Sequence, residues 1–165
     1  MKSDFPNIAL TTVARFIEYL KNAYIIDEIA QFSTKTKREL RYYGKIYNCD
    51  VAFNSLGALN NRYDLDHNLE NIVYNELLYM GYELKVFDNK GKEIDFLATR
   101  GGKTYLVQVA YSVVDETAYN REFSAFSNID NTNQKILITN DDIDFSTSTV
   151  RHLKLKDFLL KEDLE

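Results

Sequence analysis

The stretch "EIDFLATRGGKTYLVQVAYSV", residues Glu93–Val113, holds two runs in which apolar and polar residues alternate, separated by Arg-Gly-Gly. Alternation over this length predicts β-strands, and the glycine pair predicts a tight reversal between them. The first run carries one acid, Asp95, between Ile94 and Phe96. The second carries Gln108 and Ala110, two residues apart and therefore on one face of the strand. How this hairpin is flanked decides the fold, and what stands at those three positions decides the chemistry.

Just upstream, "YDLDHNLENIVYNELLYMGYELKVF" predicts a helix opening near Asp64 or Asp66 and ending at Gly81, whose place suits a left-handed cap. A strand over Tyr82–Phe87 and the turn "DNKG" lead into strands Lys92–Arg100 and Lys103–Tyr111. Downstream, "DETAYNREFSAFSNI" reads as helix, "KILIT" as a buried strand, "STVRHLKL" as a further strand and "KDFLL" as a last short helix. Helix, three-strand meander, helix, strand describes an α/β sheet with a helix on each side. Near the start, Val13, Phe16, Ile17, Leu20 and Tyr24 recur at helical spacing, with Thr11 or Thr12 as cap. "YIIDEIAQF" and "KIYNC" then read as strands around a basic stretch, the layout of the end of a winged-helix unit, and "DVAFNSLGALN" reads as a short helix capped by Asp50.

Composition sets the outer limits. The 165 residues suit one domain, and ten Phe with twelve Tyr supply a core. No apolar run approaches the roughly 18 residues of a membrane span, and "MKSDFPNIAL" lacks the layout of a secretory signal. Cys49 is the only cysteine, which excludes a disulfide framework and a cysteine zinc site. An intracellular, cytoplasmic protein with no membrane contact is the expectation. The net charge is −5, yet positive charge gathers in residues 33–47, "STKTKRELRYYGKIY". Lys35, Lys37, Arg38, Arg41 and Lys45, interleaved with tyrosines, are the candidates for local contact with nucleic acid; a solvated loop and strand face is the plainer reading.

Several motifs carry no function. "GGKT" at Gly101–Thr104 lacks the first glycine of a phosphate loop, where Leu97 stands, and is followed by a strand. His67 and His152 are far apart and without partners at ligand spacing. "NDDID", Asn140–Asp144, lacks the glycine and terminal glutamate of a calcium loop. On the long helix, Leu69, Ile72, Val73, Leu77 and Met80 share an arc, and Glu76 falls about 20° from Leu69 around the axis. A carboxylate inside an apolar stripe needs a partner or a site to serve, and Glu70 lies at the edge of the same stripe.

"ENIVYNELLYMGYELKVFDNKGKEIDFLATRGGKTYLVQVAYS" resembles the PD-(D/E)XK nuclease-like domain at the C-terminus of bacterial and archaeal AAA+-type P-loop ATPases. The resemblance rests on Glu70, Asn71, Val73, Glu76 and Leu77, then on Gly91, Glu93, Ile94, Asp95 and Phe96. It extends upstream over "TTVARFIEYLKNAYIIDEI" and "YYGKIYNCDVAF", which look like the segment linking the ATPase core to this domain. It implies a restriction-endonuclease-like mixed sheet flanked by helices (residues 50–165) behind a small winged-helix-like segment (residues 1–49). The chain would then be a piece of a longer ATPase, whose core would be its partner, with nucleic acid or another protein as further partners.

Active members of that class need a helix acid, a strand aspartate and E-x-K on the next strand, so that two carboxylates hold Mg²⁺ and a lysine serves the attacking water. Here the resemblance implies Glu70 or Glu76 as helix acid and Asp95 as strand acid, with Asp95 and Glu76 as candidate metal ligands. Gln108 replaces the second carboxylate and Ala110 the lysine; Lys85 or Lys103 would have to stand in for the latter. The expectation is a non-catalytic accessory domain with no cofactor. The alternatives are a Mg²⁺-dependent nuclease with a rearranged site and a nucleic-acid-binding module. As a plain structural network, Asp95 and Glu76 would share a proton or bond to Gln108, Tyr105 or Tyr111.

Overall fold

Seven strands join in the order β2-β1-β3-β4-β5-β6-β7 in a computed structural model. It describes residues 9–33, 38–56, 64–130 and 132–165, the side chains of residues 33 and 38–43 excepted. The elements are α1 (Leu10–Asn22), β1 (Ile26–Ser33), β2 (Arg38–Asn48), α2 (Phe53–Leu56), α3 (Leu65–Tyr79), β3 (Glu83–Asn89), β4 (Lys92–Arg100), β5 (Lys103–Val109), α4 (Glu116–Ala125), β6 (Gln134–Thr139), β7 (Val150–Lys154) and α5 (Leu155–Phe158). The meander β3-β4-β5 is antiparallel, whereas β6 and β7 run parallel to β5 and β1 runs parallel to β3. The fold is thus the α/β mixed sheet flanked by helices that the residue pattern predicts.

The two central helices form where their local chemistry starts and stops them. Asp64 accepts the His67 backbone N–H at 3.0 Å to open α3. Gly81, at φ +84, closes it: Gly81 N–H reaches the Leu78 carbonyl and Tyr82 N–H the Leu77 carbonyl, the paired bonds of a glycine-capped helix end. Asp115 opens α4 by accepting from Thr117 and Ala118. Helix α1 differs from expectation at its start, because Ala9 rather than a threonine holds the cap position and its carbonyl takes the Thr12 and Val13 N–H groups.

Helix α3 buries Leu69, Val73, Tyr74, Leu77 and Met80 against Phe96, Ala98, Tyr105, Val107 and Ile136 on one sheet face. Helix α4 covers the other, where Ala125, Phe126, Ile94, Leu106, Leu137 and Val150 pack. Alternation along β5 and β6 deals residues to the two faces in turn. Strand β4 breaks that rule. Phe87 pairs with Ile94 but Lys85 with Leu97, so β4 carries an extra residue between these pairs. This bulge puts Ile94 and Leu97 on the α4 side and Phe96 on the α3 side.

The strands of the winged-helix-like segment belong to the same sheet. β1 pairs with β3 from Gln31–Val86 to Ser33–Asp88, so one continuous sheet crosses the expected boundary at Cys49/Asp50. β2 is longer than the short "KIYNC" strand expected, and its pairing with β1 shifts register after Ile29. A Cβ on Gly44 would overlap the Ile29 carbonyl oxygen, so glycine alone lets the backbones approach there. The next residue is Lys45.

Candidate functional site at the fork of β4 and β5

β4 and β5 form a ladder from Arg100–Lys103 up to Phe96–Val107, and there they part. Backbone groups beyond the last rung lose their strand partners, and buried N–H groups need replacements. Side chains supply them. The Val109 N–H donates to Asp95 Oδ2 at 2.9 Å, and the Asp95 N–H donates to Gln108 Oε1 at 3.3 Å. Asp95 and Gln108 therefore complete the sheet across its opening, both of them buried.

The other Asp95 oxygen meets a lysine. Lys45 Nζ lies 2.8 Å from Asp95 Oδ1, 2.7 Å from Glu70 Oε1 and 2.8 Å from Glu93 Oε1. Tyr47, two residues along β2 and on the same strand face, donates its hydroxyl to Glu70. The helix acid of the site is Glu70. Glu76 is half-buried and forms no side-chain hydrogen bond or ion pair with the cluster among the described residues, so the expected Asp95–Glu76 pair is replaced by Asp95–Lys45–Glu70. The physical reason is the helix rotation: six residues at about 100° each leave Glu70 and Glu76 about 120° apart. Tyr105 and Tyr111 do not serve Asp95 either; the phenol of the site is Tyr47.

On the α4 side, Gln108 Nε2 donates to Glu122 Oε2 at 2.7 Å, and Arg121 Nε donates to the other Glu122 oxygen at 2.6 Å. Glu122 is 5% exposed. A carboxylate at position 108 would face it without a proton to give, so the glutamine amide is what lets Glu122 be buried there. Ala110 shares the Gln108 face and packs among Ala125, Phe126 and Leu137. A cavity of about 300 Å³ opens beside the fork, lined by Lys92, Glu93, Asp95, Gln108, Arg121 and Glu122.

Electrostatics follow from crowding three carboxylates around one ammonium. Burial and the neighbouring Glu70 charge raise the Asp95 carboxyl to about 7, against the pull of Lys45 and the Val109 N–H. Burial works against the Lys45 charge, but Asp95 and Glu70 outweigh it and hold the amine above the usual lysine range. Burial first, and then Glu70, pushes the Tyr47 hydroxyl upward, so it is a donor throughout the physiological range.

These residues do not fit a ready Mg²⁺ site. The Lys45 ammonium fills the space between Glu70 and Asp95 that a divalent ion would share, and both Asp95 oxygens already accept bonds. Among the described residues no group of three His, Cys, Asp or Glu side chains is arranged to hold a metal ion. Of the basic candidates, Lys45 is committed to this cluster, Lys35 and Lys37 lie outside the described residues, and Arg38 and Arg41 are placed by their backbones on β2. Lys103 does not stand in for the missing lysine: it pairs with Glu165 at the far end of the hairpin. Sequence reasoning did not assign Glu93, Glu122, Arg121 or Tyr47 to the site. The signal for Tyr47 was its period-two spacing from Lys45.

Over residues 66–158, more than half of the chain, the sequence matches the family described as "Domain of unknown function (DUF4143)". The chain belongs to that family. It is 34% identical over 146 residues to an uncharacterised protein of Methanocaldococcus jannaschii, and 30% identical over 128 residues to an uncharacterised protein of Haemophilus influenzae. Those alignments cover 82% and 78% of this chain but 32% and 31% of the relatives, so the chain spans about a third of their length. No solved structure matches it significantly. No helix among the described residues is long and apolar enough to cross a membrane.

Proposed function

We propose that this chain is a non-cleaving accessory domain of a larger protein of the AAA+ ATPase type, built on a nuclease-like PD-(D/E)XK sheet whose metal position is held by a lysine. The observation that carries the reading is the Lys45 ammonium within 2.8 Å of Glu70, Glu93 and Asp95. A permanent internal cation does the electrostatic work of a divalent ion for the carboxylates, but it cannot bind and activate a water as Mg²⁺ does. The length of the relatives supports a place within a longer chain. The cavity at the fork is lined by three acids against two cations, an environment unfavourable to phosphates. Contact with other parts of the parent protein, or with another protein, therefore fits the site better than contact with nucleic acid.

One feature favours the second reading, a nuclease with a rearranged site. Lys45 brings an amine to Asp95, the group that Ala110 lacks. In that case the lysine would have to swing out for a metal to enter. Incubation of supercoiled plasmid with the chain in Mg²⁺ or Mn²⁺ separates the two. The accessory-domain reading expects no nicking above background, whereas metal-dependent nicking that Asp95→Ala abolishes would replace it with the nuclease.

A further inference from the structure

At the closed end of the same β4–β5 hairpin, opposite the fork, the segment after α5 runs back across the sheet. Leu164 is fully buried in the α3-side core. The chain on either side of it is held by side chains rather than by a strand. The Leu164 N–H donates to the Tyr82 hydroxyl at 3.0 Å, and its carbonyl accepts from Arg151 at 3.2 Å. The Glu162 carbonyl accepts from Arg100 at 3.2 Å, while the Glu165 carboxylate lies 2.6 Å from Lys103 Nζ. Arg100 also sits over the Tyr82 ring, 5.6 Å from its centroid.

Three facts set this contact apart from ordinary core packing. The groove residues fall within or beside the strands of the family match, which ends at residue 158, and the segment they hold lies beyond it. Charge is complementary: Lys103 pairs with the Glu165 carboxylate, Arg100 and Lys103 share the lining of one cavity with Asp163 and Glu165, and Arg100 and Arg151 donate to backbone carbonyls of the segment. The fit is also incomplete. Beside the segment is a cavity of about 120 Å³, and the Tyr105 hydroxyl is buried there with no hydrogen-bond partner among the described residues. A buried donor without a partner is unfavourable and marks a position a bound group can satisfy.

We infer that this end of the sheet is a docking groove for an extended acidic segment anchored by one leucine, and that Glu162–Glu165, "EDLE", occupies it as an internal ligand. The leucine gives affinity through burial, the Tyr82, Arg100 and Arg151 contacts fix the backbone register, and Lys103 selects a carboxylate after the leucine. A partner of the same chemistry competes with the internal segment for the groove. The inference is independent of what the fork does.

The test uses the full chain with Leu164→Ser, which leaves the segment present but without its anchor, and a fluorescein-labelled peptide of residues 159–165, "LLKEDLE". Anisotropy is expected to show saturable binding to the Leu164→Ser chain, and binding about tenfold or more weaker to the wild-type chain, whose groove is filled. The same loss is expected when the peptide carries Leu164→Ser, and a smaller, salt-screened loss when Lys103→Glu is added to the chain, since its pair with Glu165 is solvent-exposed. If Leu164→Ser alone unfolds the chain, the peptide is expected to restore its circular dichroism. A folded Leu164→Ser chain without saturable binding, equal binding of both peptides, or an unfolded chain that the peptide does not rescue would each overturn the inference.

Discussion

The β4–β5 hairpin has two halves built on opposite principles. From Phe96–Val107 to Arg100–Lys103 the strands pair rung by rung, and the Phe96 ring packs at a tilt against the rings of Tyr47 and Tyr74 in the α3-side core. From Asp95 and Gln108 onward the ladder is gone, and its hydrogen bonds are replaced by an aspartate, a glutamine and a lysine from a distant strand. The paired half is stable through backbone rungs and buried apolar packing, neither of which depends on charge. The parted half depends on one group, since removing the Lys45 ammonium leaves Glu70 and Asp95 without their counter-charge. A sheet that opens in this way exposes a polar site at its mouth, and here the mouth is closed by its own residues.

Four substitutions test that contrast, and the largest effect belongs to the paired half. Phe96→Ala empties a fully buried aromatic position, and urea unfolding is expected to lose about 4 kcal/mol with no dependence on pH. Lys45→Met, in the parted half, is expected to lose about 3 kcal/mol at neutral pH, because Asp95 and Glu70 lose their shared cation. Unlike the Phe96 effect, this loss is expected to shrink as pH falls through about 7, where the folded Asp95 carboxyl takes up a proton and no longer needs the cation. A pH-independent loss for Lys45→Met would mean that the two halves do not differ in kind.

Gln108→Glu comes next. It sets a carboxylate against buried Glu122 and removes the amide donor, and about 2 kcal/mol is expected to go in the same unfolding measurement. It also restores a missing acid of the nuclease pattern, yet plasmid nicking in Mg²⁺ is still expected to be absent while Lys45 holds its place. The smallest change is expected from Asp95→Asn, within about 1 kcal/mol at pH 5. Its value lies in the slope. Because the folded Asp95 carboxyl is raised to about 7, its contribution to stability is complete below the ordinary aspartate range and is lost as pH rises through 7. Thermal melts from pH 4 to 8 should therefore shift in favour of the asparagine variant as pH rises. A shift in favour of the wild type would mean that Lys45 outweighs burial and Glu70 repulsion at this site.

Much of this architecture could be read in advance, for reasons that are local. The strands over Lys92–Arg100 and Lys103–Val109, the start of α3 at Asp64 and the Gly81 stop each concern residues a few positions apart, and each forms as expected apart from the bulge in β4. That Gln108 and Ala110 share one face follows from the same rule. The first two strands were legible as strands, but not as members of the main sheet, because the β1–β3 pairing joins residues more than fifty positions apart.

The site was legible only in part. Asp95 and Gln108 stood out because they interrupt apolar strands. Lys45 was grouped with the basic stretch around it, since nothing in residues 33–47 records that one ammonium turns toward a carboxylate fifty residues away. The choice between Glu70 and Glu76 depended on how α3 is rotated over the sheet, which the packing of Val73, Tyr74 and Leu77 settles. Local periodicity thus carried most of the elements and their ends, and the family resemblance carried the loss of the E-x-K charges. Which acid faces Asp95, which lysine pairs with it, and what holds the Glu162–Glu165 segment were decided only when distant strands met, because ion pairing and burial act through space and leave no mark on sequence spacing.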